Sequence, residues 1–210
     1  MSVFQLTLGQ VQRSILEFTV NDIKLNKHQK KRQQTQEHLK CITFELIAEQ
    51  GFDAINVQHI IKHANVARGT FYIHFQNKTE IAWSLLEDKL VLLDTKLKTF
   101  DTRKEKERQK KWLYIFIFIA EHKNLFRTLL GEQGHLSLVR QTQNYVAQII
   151  RRDLPHMFPD TDLPVAFSAE FIAGALIQTI IHWLEHPESY TLDELSNLFF
   201  KAATKVVLPG

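Results

Sequence analysis

Apolar side chains recur every three or four positions along most of this chain, and almost nowhere do they alternate. From about Gln29 to Gln50, Leu39, Ile42, Leu46 and Ile47 fall at helical spacing, and Gly51 follows as a C-terminal stop. The pattern then predicts a short helix over Val57–Ala64 capped by Asn56, a tight turn at Asn65-Val66-Ala67, and a second short helix over Arg68–Phe75. Asn77 and Glu80 have the spacing of a capping box, opening a long helix that runs from Lys78 to near Phe100. Five more helices are predicted over 103–122, 124–131, 135–154, 164–186 and 191–207. Pro164 suits a first helical turn, and Thr191-Leu192-Asp193-Glu194 matches the Thr-x-x-Glu capping box. Between the third and fourth of these lies a loop, Pro155 to Pro164, whose Asp160 and Asp162 read as turn and cap residues. Residues 1–28 carry Val3, Leu6, Leu8, Val11, Ile15, Leu16 and Phe18, but Gly9 and Asn21-Asp22 break the period, so they are set aside as an N-terminal extension. The fold class that follows is all-α.

Composition narrows the class without naming a task. With 44% hydrophobic and 23% charged residues the chain reads as globular, and 15 Phe supply a sizeable core. One cysteine, Cys41, leaves no internal disulfide or multi-cysteine metal site, which suits a reducing cytoplasm. Met1–Val20 lacks the basic start and continuous apolar run of a secretory signal, and the apolar run Trp112–Ala120 is too short to cross a bilayer. No membrane role is therefore expected.

Charge adds a local signal. The net charge of +3 is mild, but Lys24, Lys27, Lys30, Lys31, Arg32 and Lys40 cluster against Glu37 alone. Lys30, Lys31 and Arg32 are candidates for a DNA-contacting arm, by phosphate affinity or by entry into the minor groove. A second basic run, Arg103 to Lys111, is interrupted by Glu105 and Glu107 and reads as a solvated helix face.

Two short helices joined by a tight turn are the minimal unit that places one helix in the major groove of DNA. Ile60 and Ala64 share a face of the first helix, and Val66 and Phe71 contact the second. The turn needs a residue tolerant of positive φ, and Asn65 is one of the few besides glycine. The N-terminal end of the second helix carries Arg68, Gly69 and Thr70. Arg68 can pair bidentately with guanine, and Thr70 can touch a thymine methyl or a phosphate. Tyr72, His74 and Lys78 follow at spacings that suit phosphate contact, which sets register without reading sequence.

The run Gly51-Phe52-Asp53-Ala54-Ile55-Asn56-Val57 and the run Ala64 to Lys78 resemble the signature of TetR/AcrR regulators, with Gly69, Tyr72, Phe75 and Lys78 at the expected spacing. The likeness covers roughly residues 33–93. It implies a helix-turn-helix DNA-binding domain of three helices over residues 29–93, followed by a larger helical effector-binding and dimerisation domain over 94–210. By resemblance Asn56, Ala67, Arg68, Gly69, Thr70, Tyr72, His74 and Lys78 form the DNA-binding set. Arg68 and Thr70 would address bases, while Tyr72, His74 and Lys78 would hold phosphates. Four positions depart from the pattern. Asn56 stands for Thr, Ile61 for a small Ala, Asn65 for Gly, and Ala67 for a hydroxyl residue that often meets a phosphate.

The resemblance further implies that the last two helices pair with those of a second copy in a four-helix bundle. Phe167, Phe171, Gly174, Ala175, Gln178 and His182 on the first, with Leu195, Leu198, Phe199 and Ala202 on the second, are the candidate dimer residues; an ordinary intrachain core is the competing reading. Trp112, Phe116, Phe118, Phe126 and Trp183 are read as core before pocket. His122, His135, His156, His182 and His186 have no ligand spacing beyond the pair His182 and His186, so neither a metal nor a cofactor is expected.

The partners expected are a double-stranded DNA operator, a second copy of the chain, and a small-molecule effector of unassigned identity. The function expected is a dimeric repressor released by that effector, with an activator using the same head as the alternative. A helical enzyme lacks support in any phosphate loop or catalytic motif, and Cys41, though beside Lys40, reads as a small packing residue of the first helix. A protein-only adaptor does not account for the basic surface from Arg68 to Lys78.

Overall fold

The computed structural model describes residues 27–158, 161 and 163–207, which form nine helices and no strand. Of the extension read over residues 1–28, residues 1–26 lie outside the described residues, as do Asp160 and Asp162, while Lys27 and His28 belong to the first helix. The helices are α1 (Lys27–Gln50), α2 (Val57–Ala64), α3 (Arg68–His74), α4 (Lys78–Leu97), α5 (Glu105–Glu121), α6 (Lys123–Leu130), α7 (Leu136–Met157), α8 (Val165–Glu185) and α9 (Leu192–Val207).

Helix ends follow from their caps. Gly51 stops α1 with φ of 82°, a left-handed conformation that costs glycine little. Asn56 Oδ1 accepts from His59 N at 3.0 Å, and Asn77 Oδ1 from Glu80 N at 2.9 Å. At α9 the capping box is complete: Thr191 Oγ1 accepts from Glu194 N, and the Glu194 carboxylate accepts from Thr191 N at 2.9 Å. Other ends moved. α1 starts at Lys27, two residues early, because its first exposed polar turn offers no apolar period to read. α5 starts at Glu105, since Asp101 folds a turn with Arg103 and Lys104. The largest difference is at α7, which continues through Pro155 to Met157 where a loop was expected. A proline in the last turn removes one backbone donor, and burial of Leu154, Met157 and Phe158 holds that turn closed.

The head is α1 to α3 with the start of α4, wrapped around Phe71, Leu39, Ile47 and Ile60, all fully buried. Behind it α7 packs along α8 and α5 along α9, while α4 belongs to both halves. The expected boundary at 93/94 therefore falls inside one continuous helix. Trp112, Phe116, Phe118, Phe126 and Trp183 are all buried, and Trp112 and Phe116 both meet Phe199. Among the described residues α8, rather than Trp112–Ala120, is the stretch long and apolar enough to span a membrane. Its apolarity has another cause: Ile172, Leu176, Ile177, Ile180 and Trp183 face the core, and Glu170 pairs with Arg151 of α7 at 3.1 Å.

Candidate nucleic-acid interface

The turn after α2 is made by Asn65, whose φ of 50° is the one left-handed non-glycine conformation among the described residues. Its amide donates back to the carbonyls of Ile61 and Lys62, closing the end of α2. That turn aims α3 across the head, with Phe71 fully buried beneath it and Phe75 also inside. Two buried aromatics four apart leave the rest of α3 facing outward. Ala67, Arg68 and Gly69 are exposed and Thr70 is half-buried. Tyr72 is 47% exposed and stands edge-on to Phe71, with the Arg68 guanidinium 5.7 Å above its ring. A β-carbon added to Gly69 would meet nothing within 4 Å, so nothing inside the protein requires glycine there.

The charge of this surface has one sign. From Val57 to Phe75 there is no acidic residue, while Lys62, Arg68 and three histidines are present. Arg32, in the first turns of α1, lies close enough to His74 that its charge, after partial burial, adds to holding that imidazole below its ordinary range. Lys30, Lys31 and Arg32 are all exposed at the start of α1. Lys40 of the same basic run is instead buried and paired with Asp88 of α4. Asn56 is exposed and spends its side-chain oxygen on the α2 cap.

Lys78 is committed differently from its neighbours. Its Nζ donates to the carbonyls of Phe52 at 2.7 Å and Ile55 at 2.8 Å, and sits 4.3 Å from the centre of the Phe52 ring. It clamps the loop between α1 and α2, leaving one ammonium proton for a phosphate. A residue the sequence reading missed is Ile73, 65% exposed between Tyr72 and His74. The signal was available, because Phe71 and Phe75 claim the inward face and position 73 then points away from both.

Other expected sites fall as follows. Phe167 and Phe171 stack at 6.2 Å on the outside of α8, 56% and 50% exposed, with Ala175, Gln178 and His182 also exposed and Gly174 half-buried on that helix. Leu198 and Ala202 are exposed on α9. Leu195 and Phe199 point the other way, into the chain's own core, because α9 turns that stripe toward Trp112 and Phe116 of α5. Cys41 is held as a thiol, its pKa raised to about 11 by burial and the neighbouring Glu45 carboxylate, so Lys40 does not activate it. No group of three or more metal-ligating side chains occurs among the described residues.

Comparison with known proteins places both halves. Residues 43–84 match the family described as bacterial regulatory proteins, tetR family, and residues 106–205 match a transcriptional regulator C-terminal region. The chain is 28% identical over 166 residues to a fatty acid metabolism regulator protein of Bacillus subtilis, covering 73% of this chain and 85% of that one. Among solved structures, a TetR-family transcriptional regulator from Syntrophomonas wolfei superposes with a TM-score of 0.68 at 16% identity, over 83% of this chain and 95% of that one. The regulator FadR from Bacillus subtilis in complex with stearoyl-CoA superposes with a TM-score of 0.57 at 23% identity, over 82% and 99%.

Proposed function

Because the chain belongs to the TetR family of transcriptional regulators, we propose that it is a cytoplasmic, dimeric repressor that a small-molecule effector releases from its operator. The observation that carries this reading is the outward face of α3. Arg68 and Tyr72 are exposed and Thr70 is half-buried on a helix whose opposite side is locked by the fully buried Phe71. Arg68 and Thr70 at the N-terminal end read base edges, and Tyr72, His74 and the remaining proton of Lys78 fix the register on phosphates. Gly69 lets the backbone come close to the groove. Lys30, Lys31 and Arg32 add phosphate affinity from the start of α1. Residues 29–93 form the DNA-binding domain and residues 94–210 the sensing and dimerising one.

The outward stripe of α8 and α9 supplies the second half of the mechanism. Phe167, Phe171, Ala175, Gln178, His182, Leu198 and Ala202 seat a second copy, which spaces two α3 helices for successive major grooves about 34–36 Å apart. The similar regulator in complex with stearoyl-CoA supports a small-molecule effector. An effector that favours a different head-to-head spacing lowers DNA affinity by its differential affinity for the two states.

The test is a gel-shift titration of the full chain against the DNA upstream of its own gene, repeated across salt concentrations. Specific binding that weakens steeply with salt is expected, with Tyr72→Ala and Arg68→Ala each losing about ten- to a hundredfold in affinity while melting normally. A folded dimer that selects no sequence from a random DNA pool overturns the proposal.

A further inference from the structure

The side chains of α3 stand in rows along its axis. On a helix, residues four apart lie nearly above one another, about 40° apart around the axis, while neighbours in sequence are about 100° apart. Phe71 and Phe75, the latter just past the helix end, form the row that faces the core, and both are buried. Arg68 and Tyr72 form an exposed row on one flank, coupled by the guanidinium 5.7 Å from the ring centre. Thr70 and His74 form a half-buried row on the other flank. Opposite Phe71, on the centre line of the outward face, stand Gly69 and Ile73, both exposed.

The flanking rows carry groups that hydrogen-bond. A guanidinium, a hydroxyl, a phenol and an imidazole can each serve a phosphate or a base edge. The centre row carries none. Gly69 adds no side chain, and a β-carbon there would meet nothing within 4 Å. Ile73 offers hydrocarbon alone, and it leans toward the helix N-terminus, over the turn that holds Gly69. Phe71 anchors α3 to the core, so the packing of the head does not require Ile73. Its branched β-carbon restricts χ1 to one dominant rotamer in a helix, which holds the hydrocarbon in place at little further cost in entropy. An isolated exposed isoleucine is ordinary on a protein surface, but one at the centre of a groove-facing helix meets what the groove contains. Base-pair edges in the major groove present donors and acceptors, and the apolar group among them is the C5-methyl of thymine.

We infer that Ile73 is a specificity-determining residue of the head: it packs against the C5-methyl of one thymine in each operator half-site, and the bare backbone at Gly69 leaves room for that methyl. A base edge with polar atoms alone at this position would set the Ile73 hydrocarbon against donors and acceptors stripped of water, which costs affinity. The contact is one of shape and apolar area, and it adds a base to those that hydrogen bonds from Arg68 can distinguish. The inference rests on the proposed operator-binding role.

The experiment uses the full chain and an operator duplex recovered by selection from a random DNA pool. Each thymine in turn is replaced by deoxyuridine, which removes the C5-methyl and keeps the hydrogen-bonding edge, and affinity is read by fluorescence anisotropy at one salt concentration. One thymine in each half-site is expected to bind about three- to tenfold more weakly as deoxyuridine, the scale of one buried methyl group. Ile73→Ala should keep the wild-type melting profile and bring that ratio close to one, whereas Ile73→Val, which keeps the branched β-carbon, should retain most of it. Thr70→Ser removes the other methyl group of α3 able to reach a thymine, and it should leave the ratio as in the wild type. A merely structural role for Ile73 would weaken both duplexes alike in Ile73→Ala and leave the ratio untouched, a result that overturns the inference. So does an operator in which no thymine responds to loss of its methyl by more than about twofold. A folded chain that selects no sequence removes the operator-binding role and this inference together. Specific binding that is indifferent to the methyl removes the inference alone.

Discussion

The head and the C-terminal half solve different problems with the same element. In the head the elements are closed locally: the Asn56 and Asn77 side chains cap the starts of α2 and α4, and the left-handed backbone of Asn65 turns the end of α2. The core under α3 is built on two aromatics four apart, Phe71 and Phe75, with buried neighbours from α1 and α2. In the C-terminal half the helices are long, and their partners are distant in sequence, as when Trp112 of α5 meets Phe199 of α9. The head is a rigid surface specified locally. The other half is a packed body with ion pairs between its helices.

The strongest challenge to this contrast is to empty the head's core. Phe71→Ala removes a fully buried ring at the hub of three helices, and the loss is expected to be about 3–5 kcal/mol. Denaturant unfolding followed by circular dichroism should then show an early transition for the head and a later one for α5 to α9. A single unshifted transition would mean that the head is not a distinct unit.

A smaller effect separates clamping from DNA contact. Lys78→Met strips two carbonyls, Phe52 and Ile55, of a charged donor and should cost about 2 kcal/mol of stability together with DNA affinity. Tyr72→Ala, on the exposed face, should cost affinity with stability changed by less than about 0.5 kcal/mol. If Lys78→Met melts like the wild type and loses only DNA binding, the lysine serves phosphate and the clamp is incidental.

Acid should find the C-terminal half first. His122, at the joint of α5 and α6, stands edge-on to Phe118, and burial together with the Lys89 charge lowers its pKa from 6.5 to about 4. Its imidazole is neutral in the folded chain, whereas the unfolded chain takes up a proton below about pH 6.5. Stability is therefore full above that value and is lost as pH falls from 6.5 toward 4. Melting temperatures measured across this range should fall less steeply in His122→Asn. A decline of identical slope in the variant would place the acid sensitivity elsewhere.

The same contrast explains what was legible in the sequence. The helix-turn-helix was readable because its determinants are contiguous: Asn56, Asn65, Phe71 and Phe75 cap, turn and bury at fixed short spacings. For Leu195 and Phe199 the sequence leaves a dimer face and an intrachain core both open, because helical spacing shows which residues share a stripe but not which way the stripe points; the structure turns them inward. The continuation of α7 past Pro155 was hidden because the packing that holds its last turn comes from other helices. Lys111, Asp153, Arg152 and Asp94 come together from three helices, and the basic run holding Lys111 looked like a solvated face.

The smallest expected effect is also the sharpest probe of the head. Glycine inside a helix costs about 0.5–1 kcal/mol relative to alanine, through the freedom it loses on folding. Gly69 sits in α3 with no positive φ and with open space where a β-carbon would go, so neither strain nor packing opposes a methyl group there. Gly69→Ala should therefore raise the unfolding free energy by that amount, read from the denaturation midpoint. If the glycine is kept so that the α3 backbone can approach DNA closely, the same variant should bind its operator more weakly while being more stable. Stability and affinity moving in opposite directions under one methyl group would locate the contact surface at the start of α3. Gains in both would move that surface away from Gly69, toward Arg32 and the side of α3 that carries His74.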